Sequence, residues 1–416
     1  MKLIFLILLL IGFYFSYSIF AYLQICFLGN VFFKSFFLKL ILLILLFVFL
    51  FSKRRITKNF FSNIILLYLV YSFISFLFLK RFEYKFDYWI FSFLSQQFWF
   101  FYIALFYLFL EKQSDLKIFL YIRRFLFIVF FLNFPIGFIQ FITSKTILPV
   151  KSNDNYFETM SFLFGDSIRS FGLMTSPLDF GLLNAIIYFI CLSDILFVRS
   201  SSYKKILKII VLILSIIGIY ISMTRNIYLL TLLGSLFLVA LKIKNKLILI
   251  LMPFVNFLTI LIVFILGSFM SWSEGFYILQ NSSLIMRLYE WFYFINLISK
   301  SSFTDKLVGI GIIQNSKLYV IDLPIDNVFL SIILYNGLIG LLIFLLIFFY
   351  LYYKLLNIIF YLLKKDTLMI NHSLIIASGA LLFAFLTFSS FNNYYPVIYI
   401  FFLVPLLSLK FDWRRM

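Results

Sequence analysis

The sequence predicts an all-α polytopic membrane protein. Of its 416 residues, 64% are hydrophobic and only 12% are charged, and the apolar runs repeatedly reach the roughly 20 residues that a helix needs to cross a bilayer. Long runs such as 40–51 and 247–266 lack the alternation of apolar and polar residues that outer-membrane strands show. Because a helix satisfies its own backbone hydrogen bonds in lipid, these runs are predicted to be helices.

The apolar runs divide into twelve predicted spans. The first is longer than the apolar region of a signal peptide and lacks a cleavage pattern of small residues, so it is predicted to be retained. Spans one to five occupy residues 1–143, and spans six to twelve occupy 144–416, with a long loop at 269–337. The predicted spans are 3–23, 36–51, 60–79, 88–110, 125–143, 178–198, 206–223, 227–241, 246–268, 338–358, 372–389 and 394–409.

The Lys and Arg residues indicate which side of the membrane each loop occupies. With both termini in the cytoplasm, 22 of the 35 Lys and Arg residues fall in cytoplasmic loops and 13 fall outside. The formal net charge of +19 is then a topology signal, so a nucleic-acid partner is not needed to explain it. This arrangement places the two long loops, 144–177 and 269–337, on the outer face, and long ordered loops usually carry function.

The sequence has only two cysteines and one histidine. Cys26 and Cys191 lie far apart in apolar runs, without partners at metal-ligand spacing, and are predicted to be buried small side chains. His372, the only histidine, falls at the cytoplasmic end of a predicted span, where we expect a solvated or interfacial side chain. Residues 309–311 lack the third glycine of a dinucleotide-binding loop. The sequence therefore favours an enzyme without metal or cofactor, or a transporter.

Three arginines on the predicted outer face are candidate anion ligands. Arg169 precedes the sixth span, Arg225 lies in the short turn after the seventh, and Arg287 begins an amphipathic segment of the long loop. Each has a simpler interpretation, because Arg169 and Arg225 could extend to the membrane interface and Arg287 could pair with Glu290. A guanidinium stays charged and matches phosphate oxygens with two donors, so the three together predict an anion-binding site. Asn226 adds hydrogen-bonding capacity beside Arg225.

Asp326 is the candidate general base. It lies at the predicted N-cap of a short apolar helix that ends at Gly337, and capping alone could explain it. A carboxylate there could also deprotonate an acceptor hydroxyl, with a basicity that rises on desolvation and falls beside an arginine. Glu290 and Asp322 are alternative bases, and a late proton transfer could need none.

Four short motifs that carry these residues follow one another along the chain. They are Arg169-x-Phe-Gly, Ser222-x-x-Arg225, Arg287-x-x-x-Trp291 with Gly309-x-Gly311 downstream, and Asp326-Asn327-x-x-Leu330 ahead of Gly337-Leu-Ile-Gly340. The order of these motifs along the chain, and their predicted position on the outer face of the membrane, resemble those of the O-antigen ligase/polymerase superfamily. The resemblance covers about residues 165–360, whereas the first half of the chain agrees only in hydropathy.

The resemblance implies a GT-C-like membrane glycosyltransferase with about twelve helices and a large external loop, located in a bacterial cytoplasmic (inner) membrane. It would use no metal and no nucleotide sugar, and its donor would be a glycan on undecaprenyl pyrophosphate. Arg225 and Arg287 would engage the pyrophosphate, with Arg169 assisting them. The remaining residues of the implied substrate site are Asn226, Glu290, Trp291 and Asn327.

The residue at position 326 indicates which branch of the superfamily the chain resembles more. The ligase branch has histidine where this chain has Asp326, which favours a polymerase of oligosaccharide repeat units (O-antigen, capsule or exopolysaccharide) over a ligase that transfers to lipid A core. A chain-length regulator and a flippase of the same pathway would be its partners.

The sequence leaves two other classes of function open, a lipid-linked oligosaccharide flippase or transporter and a non-enzymatic assembly partner. A transporter should carry ionisable groups deep in several spans, whereas Asp179 and Asp194 lie near span ends.

Overall fold

The computed structural model of the protein describes residues 60–78, 107, 117–146, 163–164, 167–174, 176–199, 201–254, 258, 293–309, 328–364, 370–387 and 396–410. The predicted spans 3–23 and 36–51, and nearly all of 88–110, lie outside these ranges. Within them the chain is helical apart from turns and one pair of two-residue strands. The prediction of a helical protein is confirmed for this part of the chain.

The predicted spans are helical wherever they fall on described residues, except for a few residues at the ends of some spans, but α2 begins earlier than its span 125–143 and α7 extends beyond 338–358 at both ends. In chain order the elements are α1 Phe60–Phe78, α2 Lys117–Thr143, β1 Leu163–Phe164, β2 Ser167–Ile168, α3 Pro177–Phe197, α4 Ser202–Ile221, α5 Arg225–Ile243, α6 Phe303–Val308, α7 Val328–Lys364, α8 Ile370–Thr387 and α9 Pro396–Leu409. Helical residues also occupy 246–254 and 293–300.

Four of the described helices are long and apolar enough to cross a membrane. They are Lys117–Thr143, Pro177–Phe197, Arg225–Ile243 and, within α7, Asn336–Lys364. α4 is of similar length but carries three lysines in its first seven residues, so it is less apolar. The protein is therefore a helical membrane protein, while the total of twelve spans stays a prediction.

Helix α8 forms the centre of the bundle. Every residue from 372 to 386 is buried, because α2, α3, α5, α7 and α9 all pack around this helix. The most extensive pairing is between α3 and α4. There a Cβ on Gly218 would overlap the amide of Asn184, so only glycine allows the two helices to approach this closely.

A buried ion pair joins four helices at one end of the bundle, which we call the Asp194 end. Arg123 of α2 donates two hydrogen bonds to the Asp194 carboxylate of α3, at 2.6 and 3.3 Å. Lys208 of α4 lies 3.8 Å from the same carboxylate, and Arg123 also donates to Ser373 Oγ of α8 at 3.3 Å. The Asp194 side chain is 0% exposed.

Two sequence-based expectations fail at the Asp194 end. α2 begins at Lys117, so Arg123 belongs to the helix and not to the loop ahead of the predicted span 125–143. His372 was expected to be solvated or interfacial, but it is buried and only 6% exposed. The reason is that five other helices pack around α8.

The described cations are distributed unevenly between the two ends of the bundle. The opposite end, which we call the Arg225 end, contains the start of α3, the end of α4 and the start of α5. Lys145, Arg169, Arg225, Lys300 and Lys306 lie toward it. The Asp194 end has Lys117, Arg123, Arg124, Arg199, Lys204, Lys205, Lys208, Lys242, Lys244, Lys246, Lys354, Lys364 and Lys410. By the positive-inside rule, we predict that the Asp194 end is cytoplasmic.

A pair of reporter fusions tests this orientation. A reporter that is active only outside the membrane should give signal when fused after residue 300 and none when fused after residue 416, because residue 300 lies at the cation-poor end. The reverse pattern would place Arg169 and Arg225 in the cytoplasm. It would thereby contradict any function that requires them on the outer face.

Candidate functional site

Arg169 is held at the Arg225 end by a tightly fixed loop. It directly follows β2, which pairs antiparallel with β1, Leu163 facing Ile168. The next residue, Ser170, is fully buried and donates its backbone N–H to Ile221 O at 3.1 Å, at the end of α4. Its hydroxyl donates to Gly137 O of α2 at 2.8 Å. The loop is thus bonded to two helices immediately beside Arg169.

Two buried amide side chains on α2 satisfy the backbone of this loop. Gln140 Oε1 accepts hydrogen bonds from the N–H groups of Phe171 and Gly172, and Gln140 Nε2 donates to Gly172 O at 2.9 Å. Asn133 Oδ1 accepts from Leu173 N at 3.0 Å. Both amides are 0% exposed. Backbone polar groups in a buried loop need such partners, so these two residues fix the course of the chain after Arg169.

Gly172 completes the loop. Its φ is +61°, in the left-handed region that residues with a Cβ rarely adopt. A Cβ at this position would also lie 3.0 Å from two oxygens of Asn133 and 3.1 Å from the ring of Phe180. The Arg169-x-Phe-Gly motif therefore has a structural reason for its glycine.

Arg225 is the first residue of α5 and follows a three-residue turn. In this turn Ser222 Oγ donates to Ile219 O at 2.7 Å, and Thr224 Oγ1 donates to Ser222 O at 2.9 Å. Met223 has a positive φ of 48°, which reverses the chain between α4 and α5. Because Ser170 bonds to Ile221 just before this turn, the loop that carries Arg169 and the start of α5 meet at one place.

Arg225 is close enough to Arg169 for its charge to act on the Arg169 guanidinium. Burial lowers the pKa of Arg169 below its usual value, and the positive charge of Arg225 lowers this pKa further. Arg169 is half-buried and Arg225 is exposed. Asn226, beside them, is 8% exposed. An anion bound between two guanidinium groups would relieve their mutual repulsion and accept several charge-assisted hydrogen bonds.

The structure thus brings together Arg169, Arg225 and Asn226. The other predicted site residues, Arg287, Glu290, Trp291, Asp326 and Asn327, lie outside the described residues, as does the alternative base Asp322. Arg287, Glu290 and Trp291 fall between the described residues 258 and 293. Asp322, Asp326 and Asn327 fall between the described residues 309 and 328. Whether these residues join the arginines stays a prediction.

Sequence reasoning missed Asn133 and Gln140. These amides are seven residues apart on α2, which places them on the same helix face about two turns apart. Polar side chains inside a span usually face the protein interior and have a role there. Two amides at this spacing in an otherwise apolar run were therefore a signal that could have been used.

The described residues contain no group of three His, Cys, Asp or Glu side chains that could hold a metal ion. The chemistry available in this part of the site is anion binding by guanidinium groups and an amide.

The comparisons with known proteins assign no family. No protein-family model matches the chain, and no curated protein matches it. The resemblance to the O-antigen ligase/polymerase superfamily is therefore a hypothesis that rests on the motif residues and on the position of Arg169 and Arg225.

Proposed function

We propose that the protein is a membrane glycosyltransferase that polymerises lipid-linked oligosaccharide repeat units. It would transfer a glycan from undecaprenyl pyrophosphate to the acceptor sugar of another lipid-linked unit, on the outer face of the cytoplasmic membrane. The observation that supports this proposal best is the meeting of Arg169 and Arg225 at the cation-poor end of the helical bundle. These arginines come from different helix connections, and a fixed loop holds one of them in place.

The chemistry of the reaction suits such a site. Pyrophosphate is a good leaving group, and its departure requires stabilisation of negative charge more than a strong base. Arg169 and Arg225, with Arg287 as a further predicted ligand, would hold the pyrophosphate oxygens. Asp326 would accept the proton of the attacking sugar hydroxyl as the new glycosidic bond forms and the bond to the pyrophosphate breaks.

A transporter of lipid-linked oligosaccharide is the main alternative, and the positions of the acidic residues argue against it. A charged translocation path should carry ionisable groups deep in several spans. The two acids of α3, Asp179 and Asp194, instead lie in its first turn and near its end. A ligase would share the donor and the arginines and differ in the acceptor.

A deletion strain distinguishes these functions. Loss of a polymerase should leave single repeat units on the lipid carrier at the outer face and remove the ladder of longer chains. Loss of a flippase should instead accumulate lipid-linked units on the inner leaflet. An undiminished ladder after deletion would overturn the proposed function.

Arg225→Lys should abolish most of the polymer while leaving the amount of protein unchanged. A lysine keeps the charge but offers a single donor group in place of a two-pronged fork. Losing one charge-assisted hydrogen bond costs about 1.5–3 kcal/mol, which is roughly a ten- to hundredfold fall in rate. The measurement is the chain-length ladder, supported by turnover of purified lipid-linked repeat units.

Arg199→Lys provides the matched control, because Arg199 is exposed and lies at the opposite end of the bundle. This variant should give a normal ladder. Normal long chains in Arg225→Lys would remove Arg225 from the site.

A further inference from the structure

Helix α7 is broken at Gly337, next to the end of α6. Gly337 has φ +65° and ψ −171°, a conformation that is essentially restricted to glycine. A Cβ there would overlap Leu307 O and would lie 2.6 Å from Gly309 N. The break divides α7 into a short helix, Val328–Asn336, and the long span that follows. It also leaves room for the end of α6 to lie against the helix.

Side chains of α1 bond to both sides of this junction. Tyr71 Oη donates to Asn336 O at 2.9 Å and to Leu307 O at 3.1 Å. A phenol has one proton, so the two carbonyls share it. The Asn336 amide donates to Tyr68 Oη at 3.2 Å and to Ser72 Oγ at 3.4 Å. Positions 68, 71 and 72 fall on one face of α1, and together with Asn336 and Leu307 we call this set the Tyr71 latch.

The latch holds the C-terminal end of the short helix. The side chains of this helix that the structure describes are all buried, and Val328, Phe329, Leu330 and Leu334 are at most 3% exposed. Nine residues of α-helix are roughly 13 Å long, so a tilt of about 10° at the latch would move the first residue by roughly 2 Å. A displacement of about 1 Å in an active site can lower the rate roughly a hundredfold. A change in this tilt would therefore move any residue at the start of the helix far enough to alter a reaction rate.

We infer that Tyr71 and Asn336 are positioning residues that set the direction of the helix Val328–Asn336. The inference rests on the proposed function in one respect. Asp326 and Asn327 directly precede Val328 in the sequence, so under the proposed function a change in the direction of this helix would move the proposed base. Neither Tyr71 nor Asn336 is assigned contact with substrate. They act through the backbone of the short helix.

The test compares Tyr71→Phe with Tyr352→Phe. Tyr352 also donates its hydroxyl to a backbone carbonyl, that of Leu249, but at a different contact of α7. Each variant therefore removes one phenolic proton that is donated to backbone carbonyl oxygen, at a part-buried position for Tyr71 and at a buried one for Tyr352. Two quantities are measured in each: hydrogen exchange of the amides of residues 328–336, and kcat and KM for polymerisation of purified lipid-linked repeat units.

We expect Tyr71→Phe to speed exchange in residues 328–336 and to lower kcat by roughly 10- to 100-fold, with KM for the donor unchanged because the arginines still bind it. Tyr352→Phe should leave both quantities within about twofold of the wild type. Unchanged exchange in Tyr71→Phe, or equal changes in both variants, would overturn the latch. Faster exchange with normal kcat would show that the latch holds the helix but does not position the proposed base. A wild-type protein without polymerase activity would refute the proposed function, and the exchange comparison would still decide whether the latch exists.

Discussion

Asp326→Asn is expected to slow polymerisation by about 10²–10⁴-fold while the protein stays folded. Asparagine caps a helix N-terminus as well as aspartate does, so the loss of stability should be small. The helix that follows is described from Val328 onward and is deeply buried, and this packing should hold the segment in place in the variant. The carboxylate that would accept the sugar proton is absent, whereas the arginines still bind the lipid-linked donor.

Asp326→Ala separates catalysis from capping. Alanine removes both the carboxylate and the side-chain oxygen that accepts the cap hydrogen bond, which typically costs about 1 kcal/mol of stability. Turnover of purified lipid-linked repeat units and thermal unfolding in detergent are measured for both variants. Near-normal turnover of the Asn variant together with a poorly folded Ala variant would make Asp326 a structural residue, and Glu290 would become the next candidate base.

Asp194→Asn is expected to destabilise the protein by about 3–5 kcal/mol. Asparagine has nearly the same shape, but it leaves Arg123 and Lys208 facing each other at the Asp194 end without a compensating negative charge. Breaking a buried ion pair by removing one partner costs this much because the remaining charge stays desolvated. Denaturant unfolding in detergent measures the loss.

Asp305→Asn provides the control for the Asp194 prediction. Asp305 lies in the first turn of the short helix α6 and is only partly buried, so the same chemical change should cost less than about 1 kcal/mol there. An equally small loss in Asp194→Asn would mean that the ion pair contributes little, and the packing of apolar side chains alone would then hold these helices together.

The helices could be predicted because lipid leaves an apolar run of span length few other structures. α3 and α5 begin and end within a few residues of the predicted positions. The start of α2 could not be predicted in this way, since a window of hydropathy treats Arg123 as a loop residue. In the structure the helix extends back to Lys117, and Asp194, distant in sequence, pairs with Arg123 there. The burial of His372 likewise depends on which helices surround α8, and one sequence does not contain that information.

The candidate site was predictable in part. Counting spans predicts that Arg169 and Arg225 lie on one side of the membrane, and in the structure they lie at the same end of the helical bundle. The spacing of Asn133 and Gln140 could have indicated two buried amides, but their partners were not predictable, because these are backbone atoms of the loop after Arg169, which have no signature in the sequence. Tyr71 is a similar case, since its partners are the carbonyls of Leu307 and Asn336.

The amides of α2 also affect how the chain assembles during synthesis. Gln140 and Asn133 bond to backbone groups that lie 31 to 40 residues later in the chain. At about 5–20 residues per second, a ribosome needs roughly 2–8 s to add that length. Until that length has been added these amides lack their final partners, and an unsatisfied polar group in lipid costs several kcal/mol. We therefore expect α2 to be stable in lipid only once the loop that carries Arg169 has been synthesised and can bond to it.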